Sequence, residues 1–118
     1  MNIEDFRNYC LMKPGVTESF PFDDTTLVFK VFNKIFALTD LEEDFKLNLK
    51  CNPEKAAILR EQFISITPGY HMNKKHWNTI IIDGTIDDDI VYNLIDHSYD
   101  LVFQSLPKKI RVQLNTTA

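Results

Sequence analysis

The sequence predicts an α+β fold: a two-layer sandwich in which helices pack on one face of an antiparallel sheet of about five to six strands. Three observations predict it. Residues 16–50 are dense in β-branched and aromatic residues, and the runs are separated by turns too short for parallel crossovers. Helical periodicity brackets this block, appearing before Pro14, after Asn52 and after Asp87. Phe45, Leu47 and Leu49 alternate with Lys46, Asn48 and Lys50, the pattern of a strand with one face buried and one face basic and wet. The predicted order is α-β-β-β-β-α-β-β-α in one domain spanning residues 1–118.

Asn2 is a good N-cap, followed by Glu4 and Asp5 in the first turn, where the helix dipole favours acids. Ile3, Phe6, Tyr9, Cys10 and Met12 recur at helical steps until Pro14-Gly15 ends the element. Thr17 to Phe22 reads as a first strand that Pro21 confines to an edge or bulge, with Asp23-Asp24-Thr25 as the turn after it. Leu27–Phe32 and Ile35–Thr39 form a predicted hairpin. Asn33-Lys34 is its two-residue turn, because Asn tolerates the positive φ such turns require. Asp40–Glu43 is the turn before the alternating strand.

Asn52-Pro53-Glu54 combines a cap, a first-position proline and an acid, and so starts a second helix. Ala56, Ala57, Ile58, Leu59 and Phe63 supply its apolar stripe. A short strand is expected within Ser65–Tyr70, and another over Asn78–Asp83, where three consecutive isoleucines predict cover on both faces. Asp87 caps the last helix. Its stripe of Ile90, Val91, Leu94, Ile95, Ser98, Leu101, Val102 and Leu106 runs to Pro107. The tail from Asn115 to Ala118 is expected to fray.

Composition narrows the function classes. A formal charge of −4 argues against a generic polyanion binder, whose affinity comes mostly from phosphate neutralisation. The charge is nevertheless sorted. Acids are absent from Pro68 through Ile82 and from Leu101 to the end, and cluster at Asp40–Asp44 and Asp87–Asp89. Three glycines, at 15, 69 and 84, cannot build a phosphate loop, and no nucleophile elbow is present. Cys10 and Cys51 have no metal spacing and read as reduced thiols of a cytoplasmic protein. Cys51 opens a helix, where the dipole could activate a thiol, but no base accompanies it, so a structural cysteine is expected. His71 and His76 lack a metal-ligand spacing, and His97 reads as a margin residue of the last helix. No apolar run approaches the length of a membrane span.

The segment Tyr70–Trp77 is the best functional lead. It gathers His71, Lys74, Lys75, His76 and the sole tryptophan, without an acid. Lys46 and Lys50 on the alternating strand, and Lys108, Lys109 and Arg111 at the C-terminus, are the cations that could join it. Lysines for phosphates beside aromatics is the composition of a nucleic-acid surface. The plainer reading makes Trp77 a structural anchor that locks the loop onto the buried strand, with the lysines keeping the loop solvated.

The same segment, Pro68-Gly69-Tyr70-His71-Met72-Asn73-Lys74-Lys75-His76-Trp77-Asn78-Thr79, resembles the signature of the MmcQ/YjbR family of small bacterial proteins. Pro14–Glu18, Phe20-Pro21-Phe22, Val28–Val31, Lys34–Ala37, Leu49-Lys50-Cys51, Pro53-Glu54, Asp83-Gly84, Ser98-Tyr99 and Leu101-Val102 extend the resemblance over nearly the whole chain. The resemblance implies a two-layer α+β fold similar to frataxin (CyaY) or to type III secretion chaperones, and a DNA-binding role attributed to a double-wing arrangement. It carries no catalytic residues.

These readings converge on a cytoplasmic, monomeric, non-enzymatic binding protein without cofactor, membrane attachment or metal site, with DNA as the expected partner. Lys46, Lys50, His71, Lys74, Lys75, His76, Lys108, Lys109 and Arg111 are the expected contacts. A protein-interaction module of the chaperone type, with a protein as partner, and a frataxin-like metal binder using the acidic clusters are the alternatives.

Overall fold

The computed structural model describes residues 1–69 and 72–117. Its six strands are β1 (Val16–Ser19), β2 (Thr26–Val31), β3 (Lys34–Asp40), β4 (Lys46–Lys50), β5 (Ile66–Pro68) and β6 (Trp77–Ile81). They form one open sheet of order β1-β2-β3-β4-β6-β5, and every neighbouring pair is antiparallel. Four helices accompany it: α1 (Ile3–Leu11), α2 (Pro53–Gln62), α3 (Asp88–Gln104) and α4 (Lys108–Thr117). Phe6 and Cys10 of α1, Ala56 and Leu59 of α2, and Val91, Ile95, Tyr99 and Val102 of α3 join a single buried cluster. On the sheet side the cluster takes Phe29, Val31, Phe36, Leu47, Leu49 and Ile80. All helices therefore lie on one face, and the fold is the α+β two-layer arrangement that the sequence predicts. Among the described residues no helix is long and apolar enough to cross a membrane.

Local chemistry sets the boundaries. Asn2 and Asp5 form a reciprocal capping box at α1, and Asn52 accepts from the amides of Glu54 and Lys55 at α2. Asp87 precedes α3 but makes no side-chain cap hydrogen bond. Asp88 instead binds the Met1 amine at 2.9 and 3.1 Å, tying the N-terminus to α3.

Several expectations are corrected. The first strand ends at Ser19, leaving Phe20–Phe22 outside the ladder. The hairpin turn is Phe32-Asn33 rather than Asn33-Lys34: both residues have positive φ, 45° and 68°, and Val31 pairs with Lys34. A β-bulge explains the shift. Phe29 pairs with Ala37 and Lys30 with Ile35, so Phe36 is the extra residue and the register slips by one. On α2, Ala57 is exposed and Ile58 is 53% exposed, because only positions three apart, Ala56 and Leu59, share the buried face. Cover on both faces holds at the centre of β6, where Asn78, Thr79 and Ile80 are all buried, but of the three isoleucines only Ile80 is in the core and Ile81 and Ile82 are half-buried. The last predicted helix stops at Gln104, and a fourth helix replaces most of the expected frayed tail. Pro107 both ends α3 and begins α4, its carbonyl accepting from the amides of Ile110 and Arg111. Leu114 of α4 rests on Gly15, which has φ +76°, and a Cβ there would lie 2.5 Å from Leu114 Cδ2.

The bulge also breaks the β3–β4 ladder, whose pairs are Ala37 with Leu49 and Leu38 with Asn48. Where the next bonds would form, the buried Ser98 hydroxyl of α3 substitutes. Its Oγ donates to the Phe36 carbonyl at 2.5 Å and accepts from the Lys50 amide at 2.9 Å. Ser98→Ala leaves two buried backbone groups without partners. We expect it to destabilise the fold by about 2–4 kcal/mol in urea unfolding, with secondary structure retained at zero denaturant.

Candidate functional site

The helices leave the other sheet face without helical cover, although Val28, Leu38 and Thr79 at its middle are buried, and the register orders its side chains into rows. Ser19, Val28, Leu38, Asn48, Thr79 and Thr67 form the middle row across all six strands. Lys30, which pairs with Thr17 and Ile35, lies toward one end of the strands with Lys50 and its partner Trp77. Toward the other end lie Thr26 with Asp40, and Lys46 with Ile81. One end of the free face is therefore basic and aromatic. The other carries acids, joined there by Glu43 and Asp44 of the following turn.

The loop before β6 belongs to the basic end. Its His76 carbonyl accepts from the Cys51 amide at 2.7 Å, just past β4. Lys74 and Lys75 are exposed and His76 half-exposed. Arg60 of α2 latches this loop: Nε donates to Asn78 Oδ1 at 2.7 Å, and Nη2 donates to the carbonyls of Lys74 and Trp77. Gly69 folds back so tightly that a Cβ on it would stand 2.7 Å from Trp77 Cβ, and its amide donates to the Trp77 carbonyl. The backbone of Trp77 thus anchors the loop, while its half-buried indole lies on the free face. Tyr70 and His71 lie outside the described residues.

The expected contacts do not all meet. Lys50 lies at one end of the free face, Lys74, Lys75 and His76 sit in the loop that enters β6 at that end of the sheet, and Lys46 sits at the other end of the Lys50 strand. Lys108, Lys109 and Arg111 lie on α4 in the helix layer, where Ile110 and Leu114 pack on the core and Arg111 bonds Leu106 O and Gln104 Oε1. Sequence reading missed Lys30, although it stands out of phase with Leu27, Phe29 and Val31. It also missed Arg60, whose partners are loop carbonyls that leave no pattern in a helix. Lys30, Lys46, Lys50, Lys74 and Lys75 have no ion-pair partner among the described residues, whereas Arg7 and Lys13 are paired with Glu18 and Asp96.

A groove crosses the middle and acidic end of the free face. One cavity of about 520 Å³ is walled by Phe22, Asp23 and Met72 over Leu38. A second of about 390 Å³ is lined by Lys46, Thr67, Thr79 and Ile81. Asp40, Glu43 and Asn48 line both, making them two lobes of one groove. Asn48 Oδ1 accepts from the Thr79 hydroxyl at 2.6 Å, which leaves the Asn48 amide hydrogens without a partner among the described residues.

Asp23 at the groove wall is held below the usual carboxylate range by hydrogen bonds from Thr26 and Thr25, and the altered thiols and His97 lie away from the groove. Burial pushes the Cys10 thiol up to about 12 and raises that of Cys51 against the opposing pull of Lys55 and Arg60. Both thiols are free and buried, so the position of Cys51 before α2 does not activate it. Burial and the neighbouring Lys55 lower His97, with Asp100 opposing them. His97 Nε2 accepts the Asn52 amide at 3.1 Å, holding the start of α2 against α3. Among the described residues no three His, Cys, Asp or Glu side chains come together as a metal-ligand set.

The family model described as YjbR matches residues 11–101. The uncharacterised protein YjbR of Escherichia coli K12 is 36% identical over 118 residues, covering 97% of this chain and 100% of the relative. Uncharacterised YyaQ of Bacillus subtilis is 47% identical over 55 residues, covering 47% of this chain and 46% of the relative. The crystal structure of a Deinococcus radiodurans protein of the DUF419 domain superposes with TM-score 0.91 at 43% identity, covering 97% of this chain and 88% of that one. A Pseudomonas syringae protein superposes with TM-score 0.75 at 27% identity, covering 86% and 99% respectively.

Two predictions follow from these contacts. Arg60→Ala removes the latch, and exchange at the loop amides of His76 and Trp77 is expected to accelerate, with a stability loss of about 1–3 kcal/mol. His97 is the acid-sensitive contact. Its folded pKa lies below the ordinary 6.5, so the unfolded chain takes up the proton first. Its contribution is complete above 6.5 and is lost as pH falls through the folded value. Urea midpoints should therefore drop between about pH 7 and pH 5, and His97→Gln should flatten that drop.

Proposed function

The chain belongs to the YjbR family, and from that premise we propose that it is a non-enzymatic nucleic-acid-binding protein whose ligand lies along the helix-free sheet face. One observation carries the reading: Lys30 and Lys50 lie on that face beside the half-buried Trp77, and the exposed Lys74 and Lys75 sit in the loop that enters β6 at the same end of the sheet, none of the four with an ion-pair partner among the described residues. The lysines neutralise phosphates and the exposed part of the indole gives a base a stacking surface. The ladder and the Arg60 latch hold these groups in place before the ligand arrives. Acids at the opposite end of the face explain how a chain of charge −4 offers phosphate a landing site at one end alone. The helix-layer cations Lys108, Lys109 and Arg111 take no part in this surface, which revises the contact set expected from sequence.

The exposed Phe20 (47%) and Phe22 (66%) favour a competing protein-interaction role at the same face. Salt separates the two readings. Fluorescence anisotropy of labelled single-stranded and duplex oligonucleotides should show binding that weakens with a log–log salt slope of about −2 to −3, as about three to four phosphate contacts require. Lys74→Ala/Lys75→Ala should cost about tenfold in affinity at low salt, and Lys108→Ala/Lys109→Ala should cost nothing measurable. Affinity no tighter than about millimolar at low salt, or equal losses in the two double variants, would sink the nucleic-acid reading.

A further inference from the structure

Resting on the nucleic-acid reading above, we propose that the groove beside the basic end accepts one unpaired nucleobase by its Watson–Crick edge, and that it selects bases carrying an amino group, guanine above all, over thymine or uracil.

Polarity on the free face comes first. Lys50 and Asn48 are two residues apart on the same side of β4, a separation of about 7 Å along a strand. A single nucleotide spans this, with its phosphate at Lys50 and its base over Asn48. The reverse placement would set phosphate against Asp40 and Glu43. Lys46 lines that end too, but against the three carboxylates of Asp40, Glu43 and Asp44, so the balance of charge directs the base rather than the phosphate into the groove.

The lining then selects among bases. The first lobe, about 520 Å³, has room for a purine, with Phe22 as an exposed aromatic wall and Leu38 as an apolar floor. Its polar groups are lopsided. Asp40 and Glu43 only accept hydrogen bonds when ionised, and Asn48 Oδ1 is already occupied by Thr79, so the Asn48 amide is the donor left to the ligand. Such a site suits a base that donates more than it accepts. The Watson–Crick edge of guanine donates from N1–H and the N2 amino group and accepts at O6 alone. Adenine and cytosine each bring one amino group. Thymine and uracil bring one N–H between two carbonyl oxygens, which would face the carboxylates. Recognition of a splayed-out base by stacking and edge hydrogen bonds requires a single strand.

The test uses labelled oligo-dT and the same strand carrying one central dG, dA, dC or a retained dT, titrated into the full chain. We expect the dG strand to bind about tenfold tighter than oligo-dT, with dA and dC between. Glu43→Gln, at an exposed turn, and Asn48→Ala should each collapse this ranking toward the oligo-dT value, while Lys50→Ala should weaken all four strands alike. The Glu43 variant leaves the ladder untouched and keeps the test valid if Asn48→Ala unfolds. Equal affinities for the four strands, or a ranking that persists in Glu43→Gln, overturn the base-selecting groove while nucleic-acid binding stands. Failure of every strand to bind at low salt overturns both.

Discussion

The Ser98 hydroxyl occupies the place where sheet, helix layer and candidate surface meet. The bulge at Phe36 gives β3 one residue more than β2 and leaves a gap in its ladder with β4. A buried carbonyl and a buried amide would otherwise face that gap without partners, at a cost large against the total stability of a small domain. One hydroxyl from α3 satisfies both. It fixes α3 across the centre of the sheet and sets the phase of Lys50 on the strand beside it. The positive φ of Phe32 follows from the same register slip, because the tight turn then falls on Phe32-Asn33. A bulky residue in the left-handed region costs about 1–2 kcal/mol, and the pairing on both flanks holds it there.

Burying one face of the sheet under every helix makes the other face available. On the buried side the packing is apolar and aromatic, with Phe6 edge-on to Phe29 at 5.2 Å and Phe36 edge-on to Tyr99 at 5.3 Å between ring centroids. At its rim Tyr9 and Lys13 both reach Asp96, while inside it the Asn78 amide nitrogen is buried without a partner among the described residues. On the free side Lys30 and Lys50 have no ion-pair partner among the described residues and stand at the end away from Asp40 and Glu43, whereas Lys46 lies with those acids. The separation is a product of register: each strand contributes alternate residues, and antiparallel pairing lines up Lys30 with the Lys50–Trp77 end and Thr26–Asp40 with the Lys46–Ile81 end.

The loop before β6 shows how a polar segment is positioned without a core of its own. Arg60, Cys51 and Gly69 reach it through backbone carbonyls of the loop and of Trp77, and Arg60 adds the side chain of Asn78. The side chains of Lys74 and Lys75 remain exposed, because the interactions holding the loop consume its main chain instead. The groove next to it is walled by the segments carrying Phe22 and Met72, which are far apart in sequence and meet only over Leu38.

The sequence by itself determined three of the four helices, the six strands in outline and the alternation that buries one side of β4. Asn2 and Asn52 cap the helices they were expected to cap, the Phe45–Lys50 alternation carries through to its faces, and the antiparallel two-layer arrangement follows from short turns and periodicity. These features depend on neighbours within a few residues. Tertiary structure decided what depends on partners distant in the chain. The hairpin turn falls on Phe32-Asn33 and a bulge follows at Phe36, where the groups left over are met by Ser98, sixty-two residues away, rather than by any local turn signal. Pro107 reads as a stop, and only the seat that Gly15 offers to Leu114 shows that a helix continues beyond it. The basic residues look like one set on paper. Register and layer split them, keeping Lys50, Lys74 and Lys75 together, adding Lys30 and setting Lys108, Lys109 and Arg111 among the helices, because the face a charge occupies is fixed by strand pairing and packing that no local pattern encodes.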